Sequence, residues 1–97
     1  MLEKELEQKC CNLARAKGWQ VYKFVSPGQR GVPDRLFIKG SPKGTLVVFV
    51  EFKRKGNRPT PLQERKIAQL RDAGCRVLVI DDYLDFQIEF GLIEEGL

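Results

Sequence analysis

The chain has 97 residues, 42% of them hydrophobic and 31% charged, which suits a single compact domain spanning 1–97 and leaves no material for a second core. Its 17 Lys and Arg outnumber 13 Asp and Glu, giving a net charge of +4 and a pI near 9.1, a balance that favours a polyanionic partner. It contains no histidine, which excludes Ser-His-Asp and Cys-His catalysis, histidine-ligated zinc and any nuclease built on a histidine base.

No apolar stretch approaches the roughly 20 residues needed to cross a bilayer, and no charged start leads into an apolar signal core. The chain is therefore expected to stay in the cytoplasm or nucleoplasm, with no membrane partner. Cys10, Cys11 and Cys75 are odd in number and lack paired C-x-x-C spacing, so they read as small core or edge residues.

Leu2, Leu6, Cys10 and Leu13 repeat at the spacing of one helix face and Gly18 supplies a stop, so a first helix is predicted over 2–17. Glu3 and Glu7 lie four apart beside that stripe, where a side chain can reach inward over a sheet edge. Such a glutamate, taken alone, more often solvates a helix flank. Residues 19–25 alternate, with Val21, Lys23 and Val25 opposite Tyr22 and Phe24, and read as a strand ended by Ser26, Pro27 and Gly28. The loop through Gln29, Arg30 and Gly31 then delivers Pro33 and Asp34, and its glycines permit close approach of backbone to a metal or phosphate.

Two apolar runs follow, Leu36-Phe37-Ile38 and Thr45 to Phe52, with Gly40, Ser41, Pro42, Lys43 and Gly44 as a hairpin connection. Side chains alternate along a strand, so Phe49, Glu51 and Lys53 share one face while Leu46, Val48, Val50 and Phe52 share the other. Antiparallel pairing through the hairpin brings Asp34 opposite the neighbourhood of Glu51. Two carboxylates then stand beside one amine. Hard cations such as Mg²⁺ take carboxylate, carbonyl and water oxygens, so two carboxylates suffice when water and a substrate phosphate complete the shell.

Each half of this pattern is more often structural: a Glu and a Lys two apart on a strand form a solvated pair, and Pro-Asp is a common turn dipeptide. Their conjunction at strand ends, in a basic chain, points instead to phosphodiester hydrolysis. Lys53, Arg54, Lys55 and Arg58 crowd the segment leaving the Glu51 strand, and Lys23, Arg30 and Arg35 flank Asp34. Contacts from these side chains to phosphates would be salt-sensitive and largely independent of sequence.

Thr60 fits an N-cap, Pro61 the first helical position and Gln63 the third residue of a capping box, which starts a second helix running to about Ala73 and stopped by Gly74. Leu62, Ile67, Leu70 and Ala73 are placed to face the sheet. Residues 76–80 form a short continuous apolar strand of the kind covered on both faces. From Tyr83 onward the tail carries Leu84, Phe86, Ile88, Phe90, Leu92 and Ile93, a high apolar load expected to form a short helix and final turn that packs on its own sheet or on a second copy of the chain, with shared use at a dimer interface favoured.

The motifs Lys23-Phe24-Val25-Ser26-Pro27-Gly28, Gly31-Val32-Pro33-Asp34-Arg35-Leu36, Val50-Glu51-Phe52-Lys53 and Thr60-Pro61-Leu62-Gln63, in this order, resemble the PD-(D/E)xK nuclease superfamily and within it a stand-alone VRR-NUC domain. The resemblance covers roughly residues 1–82. It implies an α/β restriction-endonuclease-like core, a mixed four-stranded sheet flanked by helices in the order α-β-β-β-α-β plus a short C-terminal helix. It further implies DNA cleavage with Mg²⁺ or Mn²⁺ and no organic cofactor. By position, Asp34 and Glu51 would bind metal with the backbone carbonyl of Phe52, and Lys53 would orient the attacking water or stabilise the transition state. Gln63 matches a further motif position, and the acid of the first helix maps to Glu3 or, alternatively, Glu7. Lys23, Ser26, Arg30, Arg35, Arg54, Lys55 and Arg58 are the expected DNA contacts. Small stand-alone relatives resemble homodimeric junction resolvases, which implies a structure-selective endonuclease of a phage or mobile element, acting on branched or duplex DNA in a host cytoplasm. A general or flap-type nuclease and a non-catalytic DNA-binding module stand as alternatives, separated by substrate preference and by metal-dependent cutting.

Overall fold

Alternation along one long strand divides the molecule into two layers around a sheet. The computed structural model of the protein describes residues 1–96 and contains α1 (Glu3–Ala16), β1 (Gln20–Lys23), β2 (Arg35–Ser41), β3 (Gly44–Phe52), α2 (Pro61–Asp72), β4 (Arg76–Ile80) and α3 (Tyr83–Glu95). The sheet order is β1-β2-β3-β4. The first three strands are antiparallel and β4 runs parallel to β3, reached through the α2 crossover. This is the mixed four-stranded α/β architecture expected from the sequence.

Val48, Val50 and Phe52 of β3 are buried at 0%, 0% and 3% exposure and share a core with Leu6, Cys10, Cys11 and Ala14 of α1, Phe37 of β2 and Phe86, Phe90 and Ile93 of α3. Aromatic rings fill its centre: Phe86 stacks on Phe90 at 4.8 Å between centroids, and Phe37 meets both edge-on. The opposite side of β3 carries Glu51, and α2 lies on that side against β4, its Gln63 reaching Glu51. The β2–β3 hairpin closes where Ser41 pairs with Gly44, and the Ser41 hydroxyl donates to the Gly44 carbonyl at 2.7 Å.

Several boundaries differ from the sequence expectation for physical reasons. Leu2 is 58% exposed because it is the N-cap in extended conformation, outside the helical repeat; Cys11 and Ala14 complete the buried stripe instead. Strand β1 is shorter than 19–25. Trp19 turns into the core at 3% exposure, while the chain leaves the sheet after Lys23 and exposes Val25 at 72%. Ala73 is exposed, since it is the C-cap of α2 beyond the last turn that meets the sheet. Strand β4 is an edge strand, with Val77 and Ile80 buried but Leu78 and Val79 only half-buried. Helix α3 is 13 residues long, with Asp82 as its N-cap accepting from the Asp85 amide at 3.3 Å, and it supplies a large share of the core rather than a final turn.

Candidate active site

The β2–β3 register pairs Arg35 with Val50, so the next residues outward, Asp34 and Glu51, stand across from one another at the end of the hairpin. The Asp34 backbone is fixed from the other side, where the Phe24 amide donates to the Asp34 carbonyl at 2.7 Å. Its side chain remains half exposed, with the Lys23 amine 3.9 Å away. Glu51 is 8% exposed and is the buried charged residue beside the core. Lys53, two residues on and hence on the same face, has its amine 3.5 Å from Glu51 Oε2 and only 16% of its side chain exposed.

Helix α2 completes this arrangement through its first turn. The Gln63 amide donates to the Thr60 hydroxyl and the Thr60 amide donates to Gln63 Oε1, the reciprocal capping box. The free end of the same side chain, Nε2, donates to Glu51 Oε2 at 3.4 Å. Gln63 thus caps the helix and touches the acid at once.

Burial pushes the Glu51 carboxyl above the usual carboxylate range, the charge of Lys53 opposes that shift, and the charges of Asp34 and Glu3 add to it. An acid held in a dry position near other acids is one whose charge a cation would relieve. Among the described residues no three His, Cys, Asp or Glu side chains converge as a cage, so the donor set is open and fits a hard cation that keeps water and substrate oxygens in its shell.

The acids of α1 part company. Glu7, 15% exposed, accepts a hydrogen bond from Arg35 Nε and lies 3.9 Å from the Lys23 amine. Glu3 lines the same groove of about 460 Å³, near Lys4, Arg15, Lys23 and Asp34, and its charge bears on Glu51. Arg35 therefore pairs with Glu7 and lines that groove beside Asp34. Of the other DNA-contact candidates, Arg30, Arg54, Lys55 and Arg58 are exposed and Ser26 is half-buried. Lys55 pairs with Asp82 at 3.4 Å, and the Gly56 amide donates to Asp81 Oδ2 at 3.0 Å. The loop before Asp34 is braced by α2: Lys66 donates to Gln29 at 2.5 Å, and Gly31, at φ +83°, packs so closely that a Cβ would sit 3.0 Å from the Leu62 carbonyl oxygen.

The family model of the VRR-NUC domain matches residues 2–81. The chain belongs to the VRR-NUC family. A phage protein named "Putative nuclease p44", from Acyrthosiphon pisum secondary endosymbiont phage 1, is 46% identical over 79 residues, which is 81% of this chain and 82% of that one. A solved structure described as a VRR_NUC domain superposes with a TM-score of 0.78 at 30% identity, covering 90% of this chain and 94% of the other. The VRR-NUC match includes Asp34, Glu51, Lys53 and Gln63 and ends at Asp81, so α3 lies outside it although Phe86, Phe90 and Ile93 complete the core. The activity class of this VRR-NUC protein is that of a nuclease.

Asp81 accepts from the basic loop after Lys53 and Asp82 pairs with it at the surface, contacts that sequence reasoning missed; their place next to an apolar strand reads only as a strand end. Glu94 was missed as well. It accepts from the Trp19 indole at 3.0 Å and pairs with Lys17 and Lys39 at 3.1 and 3.6 Å, pinning the end of α3 to the start of the sheet.

Proposed function

We propose that this VRR-NUC protein is a divalent-metal-dependent DNA endonuclease that selects four-way junctions and acts as a homodimer. The observation that carries the hydrolytic part is Glu51, buried and neighboured by Lys53, with Asp34 across the hairpin end. Asp34, Glu51 and the Phe52 carbonyl would hold the ion, Mg²⁺ or Mn²⁺. When bound, such an ion polarises a scissile phosphate and lowers the pKa of water.

The protein's own groups supply the rest. Lys53, held by Glu51, sets a positive charge where negative charge develops on the phosphate and orients the attacking water. Gln63 fixes the Glu51 oxygen it donates to, and Glu3 supplies the first-helix acid. Glu7 serves through Arg35 and Lys23 as a brace for the Asp34 strand. Lys23, Ser26, Arg30, Arg54, Lys55 and Arg58 position the phosphate backbone on either side. Arg35 pairs with Glu7 and lines the groove beside Asp34, where it adds to the same positive surface.

Support for the dimer comes from α3. Leu84, Ile88 and Leu92 repeat every four residues and are 61%, 55% and 62% exposed, an apolar stripe on the face of the helix turned away from its own core. A second copy meeting this stripe by two-fold symmetry would present two sites to a branched substrate. The host cytoplasm is the proposed location.

Cleavage of a labelled four-way junction, a flap and a linear duplex under Mg²⁺ and Mn²⁺, beside sedimentation of the parent and of Ile88→Asp, tests these points. Preferential cutting of the junction by a dimer, with loss of both in the variant, is expected. Equal cutting of all three substrates by a monomer would contradict both the selectivity and the assembly.

A further inference from the structure

The segment that leaves β3 directly after Lys53 carries Arg54, Lys55 and Arg58, and its shape is held from the far end of β4. The Lys53 amide donates to the Ile80 carbonyl at 2.8 Å, which fixes where the loop starts. Inside it the Asn57 amide donates to the Arg54 carbonyl at 2.8 Å, a tight turn that needs Gly56 at φ +84°. The amide of that same glycine points out of the turn and donates to Asp81 Oδ2 at 3.0 Å.

Its neighbour Asp82 has a structural reason to be an acid, since it caps α3. Asp81 has no such task. Its carboxylate lines one groove with Arg58 and Arg71, where simple electrostatics would weaken the attraction of DNA. The Lys55–Asp82 pair does not account for it either: with 68% of the Lys55 side chain exposed, that contact is a weak surface pair. The 3.0 Å bond from the Gly56 amide is by contrast a directional, charge-assisted contact to the backbone itself.

We infer that Asp81 is a positioning residue for substrate binding: it holds loop 54–58 in the turn that presents Arg54 and Arg58 to the phosphate backbone. The inference rests on the proposal that this loop contacts DNA. Asp81 acts through Gly56 and touches neither substrate nor the reacting atoms, so its loss should appear in affinity and not in the chemical step.

The test compares Asp81→Ala, Asp81→Asn, Gly56→Ala and Arg58→Ala for DNA Kd, KM and kcat at one ionic strength, with melting temperatures as folding controls. Asp81→Ala should weaken DNA binding about tenfold, the scale of one charge-assisted bond, and leave kcat within about twofold. Asp81→Asn keeps an acceptor oxygen but not its charge, so it should lose less binding than Asp81→Ala. Gly56→Ala attacks the same turn from its other side, where an added Cβ meets nothing within 4 Å, so only the backbone is strained. It should weaken binding as Asp81→Ala does, and the double variant should be no worse than either alone. Should Asp81→Ala not fold, Gly56→Ala alone decides.

Tighter DNA binding by both Asp81→Ala and Asp81→Asn would show that the residue acts by charge alone and would overturn the inference. Weakened binding by Asp81→Ala together with unchanged binding by Arg58→Ala would refute the DNA-contact role of the loop and so the inference built on it. Loss of kcat at unchanged KM would place Asp81 in support of Lys53 and overturn the inference on the other side.

Discussion

Glu94→Ala removes the group that ties the end of α3 to the rest of the fold, and the structure sets the size of the effect. The Trp19 indole, 3% exposed, loses its acceptor, and a hydrogen bond to a charged group contributes about 1.5–3 kcal/mol. Lys17 and Lys39, with 44% and 28% of their side chains exposed, add little, about 0.2–1 kcal/mol in total. Together they give a loss of about 1.7–4 kcal/mol, which in a domain of this size lowers Tm by about 7–32 °C. Glu94→Gln keeps an acceptor for the indole and should cost less. Burial alone would raise the Glu94 pKa, but the Trp19 and Lys17 hydrogen bonds and the charges of Lys17 and Lys39 outweigh it and hold the carboxyl below its ordinary range. A depressed carboxyl pKa adds stability that is complete above its unfolded value, about 4.3, and is lost as pH falls through the folded one. Circular dichroism melts of the parent, Glu94→Ala and Glu94→Gln at neutral pH and in steps down to about pH 3 measure this. The gap between parent and Glu94→Gln should close on the acid side. A Glu94→Ala melt within about 2 °C of the parent, or a parent–Gln gap that does not change with pH, would refute the reasoning.

Glu51→Gln should abolish cleavage yet raise thermal stability at neutral pH by about 0.5–2 kcal/mol. Burial raises the Glu51 pKa despite Lys53, so the folded state disfavours the charged form and stability falls as pH rises through the shifted pKa; removing the charge removes that cost. A lowered Tm would show that the Lys53 pairing dominates. Gly31→Ala places a Cβ 3.0 Å from the Leu62 carbonyl oxygen at φ +83° and should cost about 1–3 kcal/mol, read by urea denaturation; a parental midpoint would mean the loop yields freely. Thr60→Ala should lose about 1 kcal/mol of stability and retain most activity, whereas Gln63→Ala should also lower kcat, because it alone of the pair contacts Glu51. Equal kcat in these two variants would assign Gln63 to capping only.

The strand that bears the site was legible because one periodicity governs it: a run of alternating residues from Thr45 to Phe52 has a single arrangement that buries Val48, Val50 and Phe52, and that arrangement turns Glu51 and Lys53 together. The cap of α2 was legible for a similar reason, since Thr60, Pro61 and Gln63 act within one turn. The second contact of Gln63, to Glu51, was not, because it depends on how α2 lies over the sheet. Leu2 misled the helix pattern because a cap residue leaves the helical repeat. The Trp19–Glu94 and Gly56–Asp81 bonds span 75 and 25 positions, and no local spacing encodes a pairing of that range. The same limit separated Glu3 from Glu7 only in three dimensions, where both line one groove and Arg35 pairs with the second.

The most direct test of the site is cleavage of labelled four-way junction DNA with Mg²⁺, Mn²⁺ or EDTA by the parent and by Asp34→Ala, Glu51→Ala and Lys53→Ala, with DNA binding measured in parallel. Metal-dependent cutting by the parent alone, with DNA binding and a folded domain retained in all three variants, is the result the geometry predicts. Cutting by Lys53→Ala at the parental rate, or cutting that persists in EDTA, would contradict it.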